Sequence, residues 1–182
     1  MTAAHHAVTL RHNAEAAHRL PHLGGKCTSL HGHSWQLQVT ATFPALRRGI
    51  GAEFGAFKAG LRGWVDTHLD HGTMLGAGDP LMPVLSRFPD LKLYVFGRGH
   101  RAVAEERLAA DLEWPTVENV AVLLHRVGER VLDGVEHAPG GWVSLVEVQE
   151  TAVNCAAYGV PAPARAPGGG RRVAVPAGGL PG

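Results

Sequence analysis

The sequence predicts an α+β domain with two helices laid on one face of a mostly antiparallel sheet. Three observations carry this. Along residues 33–43, Trp35, Leu37, Val39, Ala41 and Phe43 alternate with Ser34, Gln36, Gln38, Thr40 and Thr42, the period of a half-buried strand. Phe54, Phe57, Leu61, Trp64, Val65 and Leu69 repeat instead at helical spacing, as do Val117, Val120, Ala121, Leu124, Val127 and Val131. Strand-strand-helix followed by strand-helix-strand is the element order of a layered α+β domain.

Residues 8–20, "VTLRHNAEAAHRL", alternate loosely up to Pro21 and read as a first strand ending at His18 to Leu20. The second strand, 33–43, runs into "PALRRGIG", turn material, so the first two strands form an antiparallel pair. The first helix ends at "LDHG", which sets Asp70 and His71 at its terminus. "LKLYVF" at 91–96 reads as a short strand, and a charged stretch follows it to Glu113. Pro115 and Thr116 open the second helix, since proline suits a first turn. "WVSLVEVQ" at 142–149 is the last core strand. From Pro161 onward proline, glycine, alanine and arginine dominate, a composition that buries too little apolar surface to offset its ordering entropy. The reading is one domain over residues 1–160 and a disordered tail over 161–182.

A chain of 182 residues suits one domain with its own core. Its formal charge is +1 and its basic blocks are no longer than Arg47-Arg48, which argues against nucleic acid and for a small-molecule partner. The two cysteines, Cys27 and Cys155, lie far apart and the N-terminus lacks a basic-then-apolar signal, so a reducing cytoplasm is expected. No apolar run approaches the ~20 residues that cross a bilayer.

Histidine is the unusual component, with 12 in the chain and seven of them before residue 34. His31 and His33 are two apart, so on a strand both imidazoles point to one face. His18, at the end of the preceding strand, is the candidate third ligand. Three neutral imidazoles with a fourth position open are the donor set of catalytic zinc. The His-Gly-His alone fits a solvated turn as well. Cys27, four residues ahead of it, is placed to act as a base or nucleophile near a cation, to be a fourth ligand of a closed structural site, or simply to be buried. Asp70-His71 is a second candidate pair.

The segments "EAAHRLPHLGGKCTSLHGHSW", "LDHG", "PTVENVA" and "VEVQET" resemble, in order and spacing, the 6-pyruvoyl-tetrahydropterin synthase and 6-carboxytetrahydropterin synthase family. The resemblance runs from Ala7 to Tyr158. It implies the T-fold, in which subunits join their sheets into a barrel with active sites between neighbours, and hence a homo-oligomer. It implies zinc on His18, His31 and His33, and Cys27 as the catalytic cysteine that moves a proton on the substrate side chain. It implies that Asp70 and His71 assist that transfer, that Glu150 holds the amidine edge of a pterin, and that Thr116 and Glu118 line the pterin pocket. If Glu150 and Thr116 reach the site from a different subunit than the histidines, dissociation abolishes activity. Arg19, His22 and Lys26 sit where a triphosphate would rest, though ordinary surface charge accounts for them better.

The short gap between Cys27 and His31 resembles the carboxy branch, which converts 7,8-dihydroneopterin triphosphate to 6-carboxy-5,6,7,8-tetrahydropterin, releasing acetaldehyde and triphosphate, in the making of 7-deazaguanine compounds such as queuosine. The alternatives are the pyruvoyl branch, which eliminates triphosphate without cleaving the carbon skeleton, and a pterin-binding protein without catalysis. Two departures stand out. The segment at about 79–114 reads as an insertion, and Glu53 stands near the helix start where an Asp is usual.

Overall fold

The computed structural model describes residues 5–163. Strand β1 (His6–His18) pairs antiparallel with β2 (His31–Phe43) over its whole length, from His6 opposite Phe43 to His18 opposite His31. The alternation seen in the sequence sets the faces. Val8, Leu10, Ala14 and Ala16 of β1 are buried with Trp35, Leu37, Val39, Ala41 and Phe43 of β2. The opposite face is polar and linked across strands: Thr9 to Thr40, Arg11 to Gln38, Gln38 to Glu147, and Thr42 to Ser144.

Helix α1 (Phe54–His68) buries Phe57, Leu61 and Val65, residues four apart on one stripe. Glu53 is its N-cap, with carboxylate oxygens 2.8 Å and 2.5 Å from the Gly55 and Ala56 N–H groups, so this departure from Asp still supplies the cap. His12, on the core side of β1, ties α1 to the sheet through Asp66 at 2.7 Å. The backbone then runs through β3 (Gly72–Gly76), a short helix α2 (Met82–Leu85) and β4 (Leu93–Phe96). Helix α3 (Val117–Asp133), capped by Thr116, packs beside α1 on the same sheet face, and β5 (Trp142–Gln149) and β6 (Cys155–Gly159) complete the fold.

The sheet has six strands in the order β4-β3-β1-β2-β5-β6. It is mixed rather than antiparallel throughout: β3 runs parallel to β1, pairing Gly72–Met74 with Ala16–His18, and β4 runs parallel to β3. Helix α1 carries the backbone back along β1, so β3 enters the sheet in β1's direction. All five residues of β3 are buried, which leaves no alternation to read in "GTMLG". Strand β6, "CAAYG", offers only small residues and one tyrosine, and it too has no signal in the sequence. The first two strands also start earlier than their apolar alternation does, at His6 and His31.

Residues 79–114 are fastened to the rest of the fold. Asp79, 2% exposed, faces Arg19 at 3.2 Å, while within the segment Glu106, 6% exposed, faces Arg98 at 2.8 Å. Arg126 of α3 makes a two-pronged contact with Asp111 at 2.5 Å and 2.8 Å. Among the described residues no helix is long and apolar enough to cross a membrane. The expected disorder of the tail concerns residues that, from 164 onward, lie outside the described ones.

Trp114 closes over the end of β3, where a Cβ on Gly76 would lie 2.5 Å from its ring and 2.9 Å from the Glu113 carbonyl. Backbone and indole would both have to shift. Gly76→Ala should therefore lower the unfolding free energy by about 1–3 kcal/mol. Urea denaturation checks this, and an unchanged midpoint would show that Trp114 yields freely.

Candidate metal centre and active site

Strand pairing assembles the three histidines. His18 is opposite His31, and Ala16 is opposite His33, so the imidazoles of both strands emerge on the core face at one end of the sheet. Ring centroids lie 4.7 Å apart for His18 and His31, 5.2 Å for His18 and His33, and 4.8 Å for His31 and His33. The Trp35 indole supports them edge-on, 5.0 Å from His18 and 5.6 Å from His33.

Two backbone carbonyls set the tautomers. His18 Nδ1 donates to Pro115 O at 2.9 Å and His31 Nδ1 to Ser29 O at 2.8 Å, because a carbonyl only accepts. Each Nε2 lone pair is thereby left for another partner, the orientation in which a histidine ligates a metal. Nε2 of His18 and of His33 is buried without a hydrogen-bond partner, and one nitrogen from each of the three histidines lies within 4.8 Å of the others. Orphaned buried nitrogens converging on a point fit a divalent ion, and an all-imidazole donor set suits zinc.

Burial pushes the His18 pKa down to about 4, and the neighbouring His31 and His33 act in the same direction. Burial lowers His33 as well, against the opposing pull of Glu150. Neutral rings are the form that binds a metal.

Glu150 follows β5 in the turn to β6, where its N–H bonds Asn154 O. Its carboxylate is 3.3 Å from His18 Nε2 and 3.8 Å from His33 Nε2. Glu150 thus stands beside the histidines of its own chain, so the condition that it reach them from a different subunit is not met for it. Thr116 is next to the Pro115 carbonyl that holds His18, and its hydroxyl caps α3 by accepting from Asn119 N–H at 3.3 Å. Glu118 lies on the first turn of α3. Cys27 is half-buried on a 3-10 helix (Gly25–Thr28) in the loop joining His18 to His31, and Leu20 N–H closes that loop on Cys27 O at 2.7 Å.

Asp70 and His71 are held elsewhere. Asp70 Oδ1 accepts from Glu15 N–H and Oδ2 from His71 Nδ1, both at 2.8 Å. The Glu15 amide, and then His71, keep the Asp70 carboxyl below its usual range. The His71 side chain is 78% exposed and borders a pocket of about 300 Å³ with Glu15, Ala17, Gly32, His33 and Ser34, residues mostly of the polar sheet face. His71 and His33 thus border one pocket, which His18 and His31 do not line. Arg19 faces buried Asp79 at 3.2 Å, and His22, exposed, stacks on Trp114 at 4.6 Å.

Sequence reasoning missed the Pro115 and Ser29 carbonyls, because backbone groups carry no residue signature. It also missed Trp35 as the support of the cluster, although Trp35 shares the parity of His31 and His33.

A profile of the family described as 6-pyruvoyl tetrahydropterin synthase matches residues 7–160. A 6-carboxy-5,6,7,8-tetrahydropterin synthase from Synechocystis sp. is 44% identical over 62 residues, 31% of this chain and 48% of that protein. A protein of the same name from Rickettsia typhi is 27% identical over 64% of this chain and 75% of its own length. The chain spans about half the length of the first curated relatives it matches, 48% and 52%. Among solved structures, an uncharacterized protein from Wolinella succinogenes superposes with TM-score 0.60 at 23% identity, covering 86% of this chain and 98% of its own. The Caenorhabditis elegans 6-pyruvoyl tetrahydropterin synthase superposes with TM-score 0.57 at 19% identity, covering 87% and 97%. At these identities the structures establish the shared T-fold.

The His18 shift has a pH consequence. With its pKa about 4 in the folded protein against 6.5 ordinarily, the unfolded protein binds a proton that the native one refuses. Stability from this source is complete above pH 6.5 and declines as pH falls toward 4, by something on the order of 3 kcal/mol. Chelator-treated protein compared with His18→Gln by urea denaturation at both ends of that window checks it. A pH dependence identical in the two would remove His18 as its source.

Proposed function

The chain belongs to the 6-pyruvoyl tetrahydropterin synthase family, and on that footing we propose that it is a zinc-dependent 6-carboxy-5,6,7,8-tetrahydropterin synthase. It converts 7,8-dihydroneopterin triphosphate to the 6-carboxy product with release of acetaldehyde and triphosphate, within 7-deazaguanine synthesis of the queuosine type in the cytoplasm. The observation that carries this is the convergence of the His18, His31 and His33 nitrogens beside the carboxylate of Glu150. The relatives named for the carboxy reaction and the short Cys27–His31 gap favour this branch.

His18, His31 and His33 would hold the zinc, which when bound supplies Lewis acidity that makes a C–H bond in the substrate's side chain easier to ionise. Glu150 accepts the two parallel N–H donors of the pterin amidine edge, the planar match a carboxylate makes with a guanidinium. Thr116 and Glu118 line the pterin pocket from the start of α3. Cys27 takes the proton from the substrate and His71 returns one, with Asp70 holding His71 Nδ1–H so that Nε2 faces outward. As the family resemblance implies, active sites form between neighbouring subunits, and the working form is a homo-oligomer. Residues 1–160 act as one catalytic domain, with 79–114 as an insertion.

Incubation of the zinc-loaded protein with 7,8-dihydroneopterin triphosphate, followed by mass analysis of the pterin and trapping of acetaldehyde, tests the proposal. A 6-carboxy product with acetaldehyde supports it. A 6-pyruvoyl product assigns the other branch, and unchanged substrate defeats both.

Cys27→Ala should keep zinc and substrate binding while turnover falls at least about 100-fold. Loss of zinc in that variant would make Cys27 a ligand instead. Glu150→Gln should retain the metal and weaken substrate binding about 10- to 100-fold. Titration calorimetry reads both, and metal loss in Glu150→Gln would reassign the carboxylate to the ion.

A further inference from the structure

The peptide group that joins Asp70 to His71 is gripped at both ends. Its N–H, belonging to His71, donates to Glu15 O at 2.6 Å. Its carbonyl, belonging to Asp70, accepts from Lys92 Nζ at 2.5 Å, and the same ammonium reaches Asp66 O at 2.7 Å. Both carbonyls lie at the C-terminal end of α1. There Leu69 and Asp70 N–H both turn to Val65 O, which leaves the Asp66 carbonyl without its usual partner in the helix. A cation is the natural partner for that end of a helix.

Lys92 reaches this point from the segment leading into β4, where its own carbonyl accepts from Thr73 N–H at 2.9 Å. Its stem crosses Gly72. A Cβ on Gly72 would lie 3.0 Å from Lys92 Cδ and 2.9 Å from Leu69 O, so the absence of a side chain there opens the path.

The grip matters because His71 has φ 55°, a left-handed backbone that a non-glycine residue adopts only when its surroundings impose it. The orientation of the 70–71 peptide sets Asp70 ψ and His71 φ together. Those two angles bring Asp70 Oδ2 to 2.8 Å from His71 Nδ1.

We propose that Lys92 is a positioning residue for the Asp70–His71 pair, locking the peptide between them so that Asp70 holds His71 in the Nδ1–H form. The catalytic meaning of this rests on the proton-transfer role given to the pair above. The positional claim rests on geometry alone.

The test reads the His71 tautomer by imidazole ¹⁵N–¹H NMR of the full-length protein, assigned against His71→Gln, for wild type, Lys92→Met and Lys92→Arg at a pH where the ring is neutral. Steady-state kinetics on 7,8-dihydroneopterin triphosphate accompany it. In Lys92→Met the ring should revert toward the Nε2–H form usual for free imidazole, and kcat should fall about 10- to 100-fold with KM unchanged. Lys92→Arg, which keeps the charge and donors, should retain much of both. If Lys92→Met does not fold, Lys92→Gln is read by the same criteria. A wild-type tautomer in the neutral variant overturns the proposal, as does a parallel loss in Lys92→Arg. If wild type turns over no substrate, the proposed function fails while the tautomer still decides the role of Lys92.

Discussion

The register of β1 against β2 governs both the core and the histidine cluster. Side chains alternate faces along a strand, so slipping the register by one residue would turn His18 away from His31 and change which β1 side chains face the core partners of β2. The core forbids that slip. Trp35, 1% exposed, is packed among buried apolar residues and donates its indole N–H to Ala16 O at 3.0 Å. The same ring is the platform on which His18 and His33 rest. Apolar burial that selects the register therefore also selects the geometry of the three imidazoles.

Helix docking adds the second control. The Pro115 carbonyl that fixes the His18 tautomer sits one residue before the Thr116 cap, so the start of α3 and the orientation of the His18 imidazole share one turn of backbone. Seating α3 on the sheet through Val120, Leu124 and Val127 holds that carbonyl in place. On the other side, Ser29 O does the same for His31 from the loop that carries Cys27. Both imidazoles are thus oriented by backbone that the fold has already placed, which limits the reorganisation left for an incoming ion.

The end of α1 is organised on different terms. It has no apolar platform; the Asp70–His71 pair stands half in solvent, held by Glu15 backbone groups and by a lysine arriving from the segment before β4. Strand β4 owes its own place to parallel pairing with β3, and the ion pairs Arg19–Asp79 and Arg98–Glu106 fasten the surrounding segment. This segment is therefore part of the scaffold beneath the Asp70–His71 pair.

The hairpin of β1 and β2, both long helices, β5 and the grouping of His18, His31 and His33 were legible in the residues alone. They follow from period, parity and the pairing of neighbouring strands, all of which act over short stretches. Strand β3 was not legible, because a strand buried on both faces has no alternation, nor was β6, whose small residues give no apolar pattern. Packing settled what no local pattern carries: Glu150 stands with the histidines of its own chain, exposed His71 borders a pocket with His33, and Lys92 reaches across Gly72 to the carbonyl between Asp70 and His71. Each depends on which distant segments the packed sheet brings side by side, and on backbone groups that are the same in every residue.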